Sequence, residues 1–376
     1  MWRYWWSLSG PYGFVTEIVA SLRAGRHAVV LLPQHAPPGL AAAVAQEVEQ
    51  DAAWVWTRVP VAAHADGPTA LGQTLLGAGT PARSVADLVA HPTLRGRVLW
   101  LEIPAARDWP DWAAFVTAFA AAAEPLAVID RPLLLLSVTG LASAAGPEPT
   151  RLVSVCPWRE RLDDLDMQQW AAYLLRPLSL NPVERRLRRE LLVALAGFDP
   201  GCAHRLSAGS LEDLLHPHAL LAACAADRGW LAAPPAPRDW AAGAYDRING
   251  QDIDHLAAQC AAPEAAAQVE ERLWRAQMTV FFPLIEQLRR RLVARYRKHL
   301  HPPFDLPGGR SILHPEDLEI GPLNVLLSKA PISWSRSELL NRLWTLRNAL
   351  AHLTPMGYRD LKEVLLTIER SDLWAC

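Results

Sequence analysis

Near the C-terminus, three residue types suited to proton transfer and anion binding stand close together in Arg347-Asn348-Ala349-Leu350-Ala351-His352. An imidazole titrates near neutrality, so His352 can give or take a proton. A guanidinium is permanently charged and can bind an oxyanion through two parallel N–H bonds, which is what Arg347 offers. Leu339, Leu340, Leu343, Trp344 and Leu346 precede the run, and the segment 335–352 is expected to be a helix capped by Ser335 or Ser337. On that helix Asn348 and His352 are i and i+4 and share a face. Arg347 stands five residues before His352, about 140° round the axis, and its long side chain can reach back.

The same part of the chain holds the strongest local charge. Residues 272–298 carry eight basic side chains against one acid, Glu286. Arg289, Arg290, Arg291, Arg295, Arg297 and Lys298 have two open readings. They form either a stripe facing RNA, whose binding weakens as salt rises, or the solvated face of a helix. His299, His301 and His314 are too loosely placed, in a proline-rich stretch, to be metal ligands and are read as exposed. Asp163, Asp164 and Asp166 resemble a carboxylate cluster, but they open a helix, where acids are expected. No Gly-x-Ser-x-Gly, His-Glu-x-x-His or Cys-x-x-Cys occurs. No metal or cofactor is expected.

Length and composition bound the rest. The 376 residues suggest two or three domains, and 51% hydrophobic with 20% charged residues is enough to bury real cores. Of the 37 lysines and arginines only three are lysine: Lys298, Lys329 and Lys362. Everything before Lys298 therefore lacks a phosphate-loop, Schiff-base or kinase-type lysine. GC-rich coding explains most of the bias and does not restore that chemistry. The net charge of −2 argues against global polyanion binding, and DNA sequence recognition is not expected. Cys156, Cys202, Cys224, Cys260 and Cys376 show neither pairing nor metal spacing, which suits buried thiols in a reducing cytoplasm. No apolar stretch is long enough for a membrane span, and the opening does not read as a signal peptide, so a soluble cytoplasmic protein is expected. Trp2, Trp5 and Trp6 are either an anchor for a partner or a strand packed on the domain.

Strands and helices alternate in the first part. Helices are expected at 11–25, 40–50, 85–91 and 112–123, and strands at 27–32, 53–59, 97–103, 132–138 and 151–155. That order implies an α/β domain with a parallel sheet at 1–157. Helices follow at 162–175, 182–195, 210–215 and 218–228. Pro234-Pro235-Ala236-Pro237 marks a linker. A long helix at 263–300, kinked or broken at Pro283, leads through a proline- and glycine-rich loop at 301–322 to helices at 335–352 and 358–370.

The N-terminal order resembles the core of a P-loop NTPase of the AAA+ or STAND kind. In that family the loop after the first strand is glycine-rich and ends in Lys-Ser/Thr, and its amides and lysine hold phosphate. Here the loop reads Pro33-Gln34-His35-Ala36-Pro37-Pro38-Gly39, with one glycine, no lysine and prolines that remove amide donors. Gln34, His35 and Gly39 would be the relics of the nucleotide loop. Glu102 alone stands at the Walker B position, where a Mg²⁺ site needs an acid and a loop hydroxyl together. The resemblance with these departures implies a degenerate, inactive STAND-like module without NTP hydrolysis.

The run RNALAH matches the Arg-Asn-x-x-x-His motif of HEPN domains, and a long basic helix before it with a short closing helix after it also resembles that family over 265–372. The resemblance implies a metal-independent endoribonuclease assembled from two motifs. His352 would act as general base or acid on a ribose 2′-OH or leaving oxygen. Arg347 would stabilise charge on the phosphorane, and Asn348 would orient His352 or close the dimer interface. One motif per chain implies a homodimer through the C-terminal domain, or a hetero-complex with another defence protein. An equally weighted alternative is structural: Arg347 pairs with Glu338 or Asp360, Asn348 caps a neighbouring helix, and His352 sits at a helix C-terminus.

The expected organisation is therefore a degenerate P-loop NTPase-like α/β domain at 1–157, an all-α lid or winged-helix-like segment at 158–232, a linker at 233–246 and a HEPN-like helical bundle at 247–376. The implied function is a component of bacterial anti-phage defence in which an NTPase-dead sensor or scaffold controls an endoribonuclease acting on RNA. The alternative is a catalytically inactive adaptor that binds a partner NTPase or nuclease.

Overall fold

The computed structural model describes residues 1–50, 54–61, 66–67, 71–72, 84–103, 106–142, 145–260, 265–306, 310–328 and 334–370. The chain divides into two compact units. One comprises Met1–Trp170 and Ala233–Ala258, the other Ala171–Ala232 and Gln259–Cys376.

The first unit is built on five parallel strands: β1 (His27–Leu32), β2 (Val55–Val59), β3 (Arg97–Ile103), β4 (Leu133–Thr139) and β5 (Val153–Pro157). Their order is β2-β3-β4-β1-β5, and every pairing is parallel. β1 is buried along its whole length, and β4 up to Thr139. Runs such as HAVVLL and LLLLSV are what strands covered on both faces require. The helices α1 (Trp2–Trp5), α2 (Ser9–Arg23), α3 (Leu40–Val48), α4 (Val85–Ala90), α5 (Trp109–Ala123) and α6 (Asp164–Leu174) accompany the sheet.

The tryptophan-rich opening is a helix rather than a strand. Trp2, Trp5 and Trp6 fall at i, i+3 and i+4, one face of a helix. Trp2 stacks on Trp170 with centroids 5.3 Å apart and Trp5 meets the same ring edge-on at 5.6 Å. Trp6 and Phe14 both contact Trp158 edge-on. These contacts carry the unit past position 157, as far as Trp170. Asp166 adds to them: it is buried, accepts the Gly10 amide at 3.1 Å and exchanges bonds with Asp163 at the start of α6. A Cβ on Gly10 would lie 2.2 Å from the Arg161 carbonyl oxygen, so glycine is what permits this approach. The Asp163–Asp166 cluster is thus a helix start.

The segment expected as a linker at 233–246 packs within this unit together with a hairpin, β6 (Tyr245–Ile248) and β7 (Gln251–Asp254). Asn249 and Gly250 form its turn with φ of 50° and 78°. Asn-Gly is a strong hairpin signal, since both turn positions need φ above zero. Prolines 234, 235 and 237 end regular structure without making the segment a spacer.

The second unit is mainly helical. It contains α7 (Pro182–Ala196), α8 (Pro200–Leu206), α9 (Leu211–Leu215), α10 (His218–Asp227), α11 (Ala265–Tyr296), α12 (Ile320–Leu327), α13 (Trp334–Ala351) and α14 (Tyr358–Arg370). A small hairpin, β8 (Phe304–Leu306) with β9 (Arg310–Ile312), lies in the expected loop. Segments 171–232 and 259 onward share this unit, so the helices expected as a separate lid belong to one body with the C-terminal helices. α7 starts on Asn181, whose Oδ1 accepts the Glu184 amide at 2.8 Å, with Pro182 in the first turn.

Pro283 does not break α11, which is one helix of 32 residues. Proline cannot donate to the carbonyl four residues back. That carbonyl, on Thr279, instead accepts from Arg186 Nη2 of α7 at 3.2 Å. α14 buries Leu361, Val364, Leu365 and Ile368, an apolar stripe at helical spacing. Among the described residues no helix is long and apolar enough to cross a membrane.

Candidate functional site

The motif lies at the C-terminal end of α13, where the helix is stopped and held. The Leu353 amide donates to the Leu350 carbonyl at 3.2 Å and the Thr354 amide to Ala349 at 3.0 Å. Leu353 has φ of 59°. This is the Schellman pattern, with leucine at a position usually given to glycine. His352 is the capping residue at that turn. Its side chain is exposed, and its ring makes no hydrogen bond among the described residues.

α11 grips the same turn from behind. Trp274 Nε1 donates to the Leu350 carbonyl at 2.7 Å. Gln277, fully buried, donates from Nε2 to the Met356 carbonyl at 2.9 Å and accepts the Met356 amide on Oε1 at 2.8 Å. The two α11 residues are i and i+3, on one face. They satisfy backbone groups on both sides of His352 and so fix where it stands. Neither was singled out from the sequence, because a buried glutamine in a basic helix resembles any other polar residue. The available signal is a lone glutamine within the otherwise apolar stripe of Leu273, Ala276, Val280, Phe281 and Leu284.

Arg347 Nη2 donates to Glu319 Oε2 at 2.9 Å, and Nη1 to Asn348 Oδ1 at 3.3 Å. The expected carboxylates are not its partners: Glu338 binds Arg342, which also meets Glu363. Asn348 serves Arg347 rather than the end of another helix. Glu319 is 58% exposed and Arg347 38%, so the pair contributes about 0–1 kcal/mol. A phosphate can therefore displace Glu319 at small loss. The motif thus presents an exposed imidazole at the end of α13 and, five residues earlier, a guanidinium held by a weak surface ion pair.

The basic run is not one uniform stripe. Arg289 is largely buried and donates to Glu286 and to the carbonyls of Glu316 and Leu318 at 2.7 and 2.9 Å. It ties α11 to the turn before α12, and the Glu286 carboxylate beside it holds its pKa above the ordinary guanidinium value. Arg297 pairs with Glu316, and Arg290 shares Glu286 at 3.0 Å. Arg290, Arg295, Arg297 and Lys298 are exposed, and Arg291 is half-buried. His299, His301 and His314 are exposed as expected. No cluster among the described residues could hold a metal ion.

In the first unit, the loop after β1 is filled by the protein itself. The Gln34 amide donates to the Ala241 carbonyl at 2.8 Å and the Ala36 amide to Pro33 at 3.1 Å. Trp6 Nε1 donates to the Pro38 carbonyl at 2.8 Å, and Gly39, with φ of 97°, sits against the Trp6 ring. His35 is half-buried within the loop. Amide donors are absent at the three prolines and bonded within the chain at Gln34 and Ala36. Glu102, at the end of β3, is held by both Arg58 Nη2 contacts at 2.9 Å and by Trp100 Nε1 at 2.9 Å. Both side chains of this pair are exposed, so it too is a weak surface ion pair.

Neither a protein-family model nor a curated protein matches this chain.

Proposed function

We propose that this protein is an RNA-cleaving effector of a defence system, in which the α13 motif cuts RNA without metal and the α/β unit is a non-hydrolysing sensor or scaffold. The reading rests on the resemblance of RNALAH to the HEPN motif. The observation that carries it is the exposure of His352 on a turn fixed by Trp274 and Gln277, with Arg347 held only by an exposed ion pair five residues earlier. A proton-transfer group needs access and a fixed position together.

In the proposed reaction His352 removes the ribose 2′-OH proton, and the oxygen attacks the adjacent phosphorus. Arg347 balances the charge that develops on the phosphorane. A second motif, from another copy of this chain, protonates the leaving 5′-oxygen. The products are a 2′,3′-cyclic phosphate and a 5′-hydroxyl. The strand order and the Pro38–Trp6 and Gln34–Ala241 bonds support a nucleotide fold whose loop no longer takes phosphate.

The test is RNA cleavage in EDTA at protein concentrations that populate a dimer, with wild type and His352→Ala compared. Cyclic-phosphate ends from wild type and none from the variant are expected. Equal products from both would remove His352 from the mechanism.

A second reading is an inactive adaptor, and the Arg347–Glu319 and Arg347–Asn348 bonds favour it. In that case the motif braces α13 against the start of α12, and a partner supplies the chemistry.

A further inference from the structure

The fold brings together two cysteines that the sequence leaves unpaired. Cys202 lies on α8 and Cys224 on α10, both fully buried, and Cys202 Sγ donates to Cys224 Sγ at 3.5 Å. One ion pair frames them. Asp199 Oδ1 accepts the Cys202 amide at 2.8 Å, while Asp199 Oδ2 binds the Arg228 guanidinium. Arg228 Nη1 donates in turn to the Cys224 carbonyl at 3.1 Å. Both members of that pair are about nine-tenths buried. The backbone carrying each sulfur is thus pinned to the same charge pair. A disulfide needs the sulfurs at about 2.05 Å, so the two must approach by about 1.5 Å.

We propose that Cys202 and Cys224 form an oxidisable dithiol, a modification site at which hydrogen peroxide or another small hydroperoxide produces an intramolecular disulfide.

The surroundings assign the order of steps. The hydrogen bond from Cys202 and the charge of Arg228 favour the thiolate at Cys224 and hold its pKa below the ordinary thiol value. The bond to Cys224, burial and the Asp199 carboxylate keep Cys202 protonated. The Cys224 thiolate attacks one peroxide oxygen, the O–O bond breaks, and the departing hydroxide takes a proton to leave as water. Cys224 becomes a sulfenic acid. Cys202 sulfur then attacks the Cys224 sulfur, its proton goes to the departing hydroxide, and a second water leaves. Two thiols have lost two electrons and one peroxide has gained them. Cys156 contrasts with Cys224, because burial pushes its thiol up to about 11. The new bond would close a loop carrying α9, which packs on α14 just after the motif.

The full chain is treated with hydrogen peroxide, quenched with catalase, denatured and alkylated with N-ethylmaleimide, then measured by intact mass and peptide mapping. The expected result is a loss of two hydrogens, two fewer alkylated thiols than in the untreated protein, and a Cys202–Cys224 crosslinked peptide that dithiothreitol reverses. In Cys202→Ala, dimedone should label Cys224. In Cys224→Ala, dimedone should label Cys202 more slowly, because burial and the Asp199 carboxylate still favour its protonated form. Full alkylation after peroxide, a disulfide to another cysteine, or stable oxygen addition to Cys224 in the wild type would overturn the proposal. Equal dimedone labelling of the two variants would overturn the order of attack.

Discussion

Trp274 donates its indole N–H to the carbonyl oxygen of Leu350 at 2.7 Å, and this bond joins the basic helix to the last turn of the motif helix. The same carbonyl accepts the Leu353 amide at 3.2 Å in the capping turn, so the indole is its second donor and ties that turn to α11. Gln277, one turn further along α11, pairs with both backbone groups of Met356.

Gln277→Met keeps the volume and removes both bonds. Each buried group left unpaired costs about 1–3 kcal/mol. Chemical denaturation should therefore show the second unit destabilised by roughly 2–4 kcal/mol. Trp274→Phe removes one bond but leaves the Leu350 carbonyl paired with the Leu353 amide, so it should cost only about 0.5–1.5 kcal/mol. A change below about 0.5 kcal/mol in Gln277→Met would mean that the clasp is not formed in solution.

His27 makes the first unit sensitive to acid. Its Nδ1 accepts the Leu134 amide at 3.0 Å, and its ring meets Phe119 edge-on. Burial, and then the positive charge of Arg131, lower its pKa to about 4. The folded state therefore keeps the imidazole neutral while the unfolded chain protonates near 6.5. Its contribution is fully present above the unfolded pKa and is lost as pH falls through 6.5 towards 4, by up to about 3 kcal/mol. His27→Asn keeps an acceptor for Leu134 and should flatten that part of a stability–pH profile. An unchanged slope would show that the loss arises elsewhere.

Asp246 acts in the opposite direction. Its Oδ1 accepts the amides of Glu160 and Arg247 at 3.1 and 2.8 Å, and burial raises its pKa to about 6. The folded state then binds the proton more tightly than the unfolded chain. That stabilisation is present below the unfolded pKa near 3.9 and is lost as pH rises through about 6. Asp246→Asn preserves the acceptor and removes the charge, so at pH 8 it should stabilise the first unit by about 1–3 kcal/mol. Thermal unfolding at pH 4 and pH 8 measures this, and a variant less stable at pH 8 would contradict it.

Glu319→Gln separates the two readings of Arg347. Losing an exposed ion pair should change stability by less than about 1 kcal/mol. If Arg347 meets RNA phosphate, the variant should bind single-stranded RNA more tightly, and the slope of log affinity against log salt should steepen by about 0.7. Fluorescence anisotropy at several salt concentrations reads both. Unchanged affinity and slope would leave Arg347 as a brace between α13 and α12.

Much of the architecture follows from local pattern. HAVVLL and PLLLLSV read as covered strands, and their alternation with helices leaves a parallel sheet as the natural outcome. The helix at Tyr358–Arg370 follows from an apolar stripe at 3.6-residue spacing. The absence of lysine before Lys298 and the prolines of the loop after β1 exclude a working phosphate loop without any coordinates. RNALAH stands out by spacing alone.

What depended on tertiary structure were the partners. Arg347 finds Glu319, Trp274 finds Leu350, Gln277 finds Met356 and Cys202 finds Cys224, at separations of 22 to 79 residues. Periodicity tells which face of an element is buried, but not which distant face it meets. The same limit explains the linker: Pro234, Pro235 and Pro237 forbid regular structure locally, yet Ala241 in the following turn takes up the Gln34 amide. It also explains Arg289 and Arg297, which look like free charge in a basic run until Glu286 and Glu316 arrive beside them. Charge and polarity belong to the residue; whether they are free to act depends on what the folded chain places within hydrogen-bond reach.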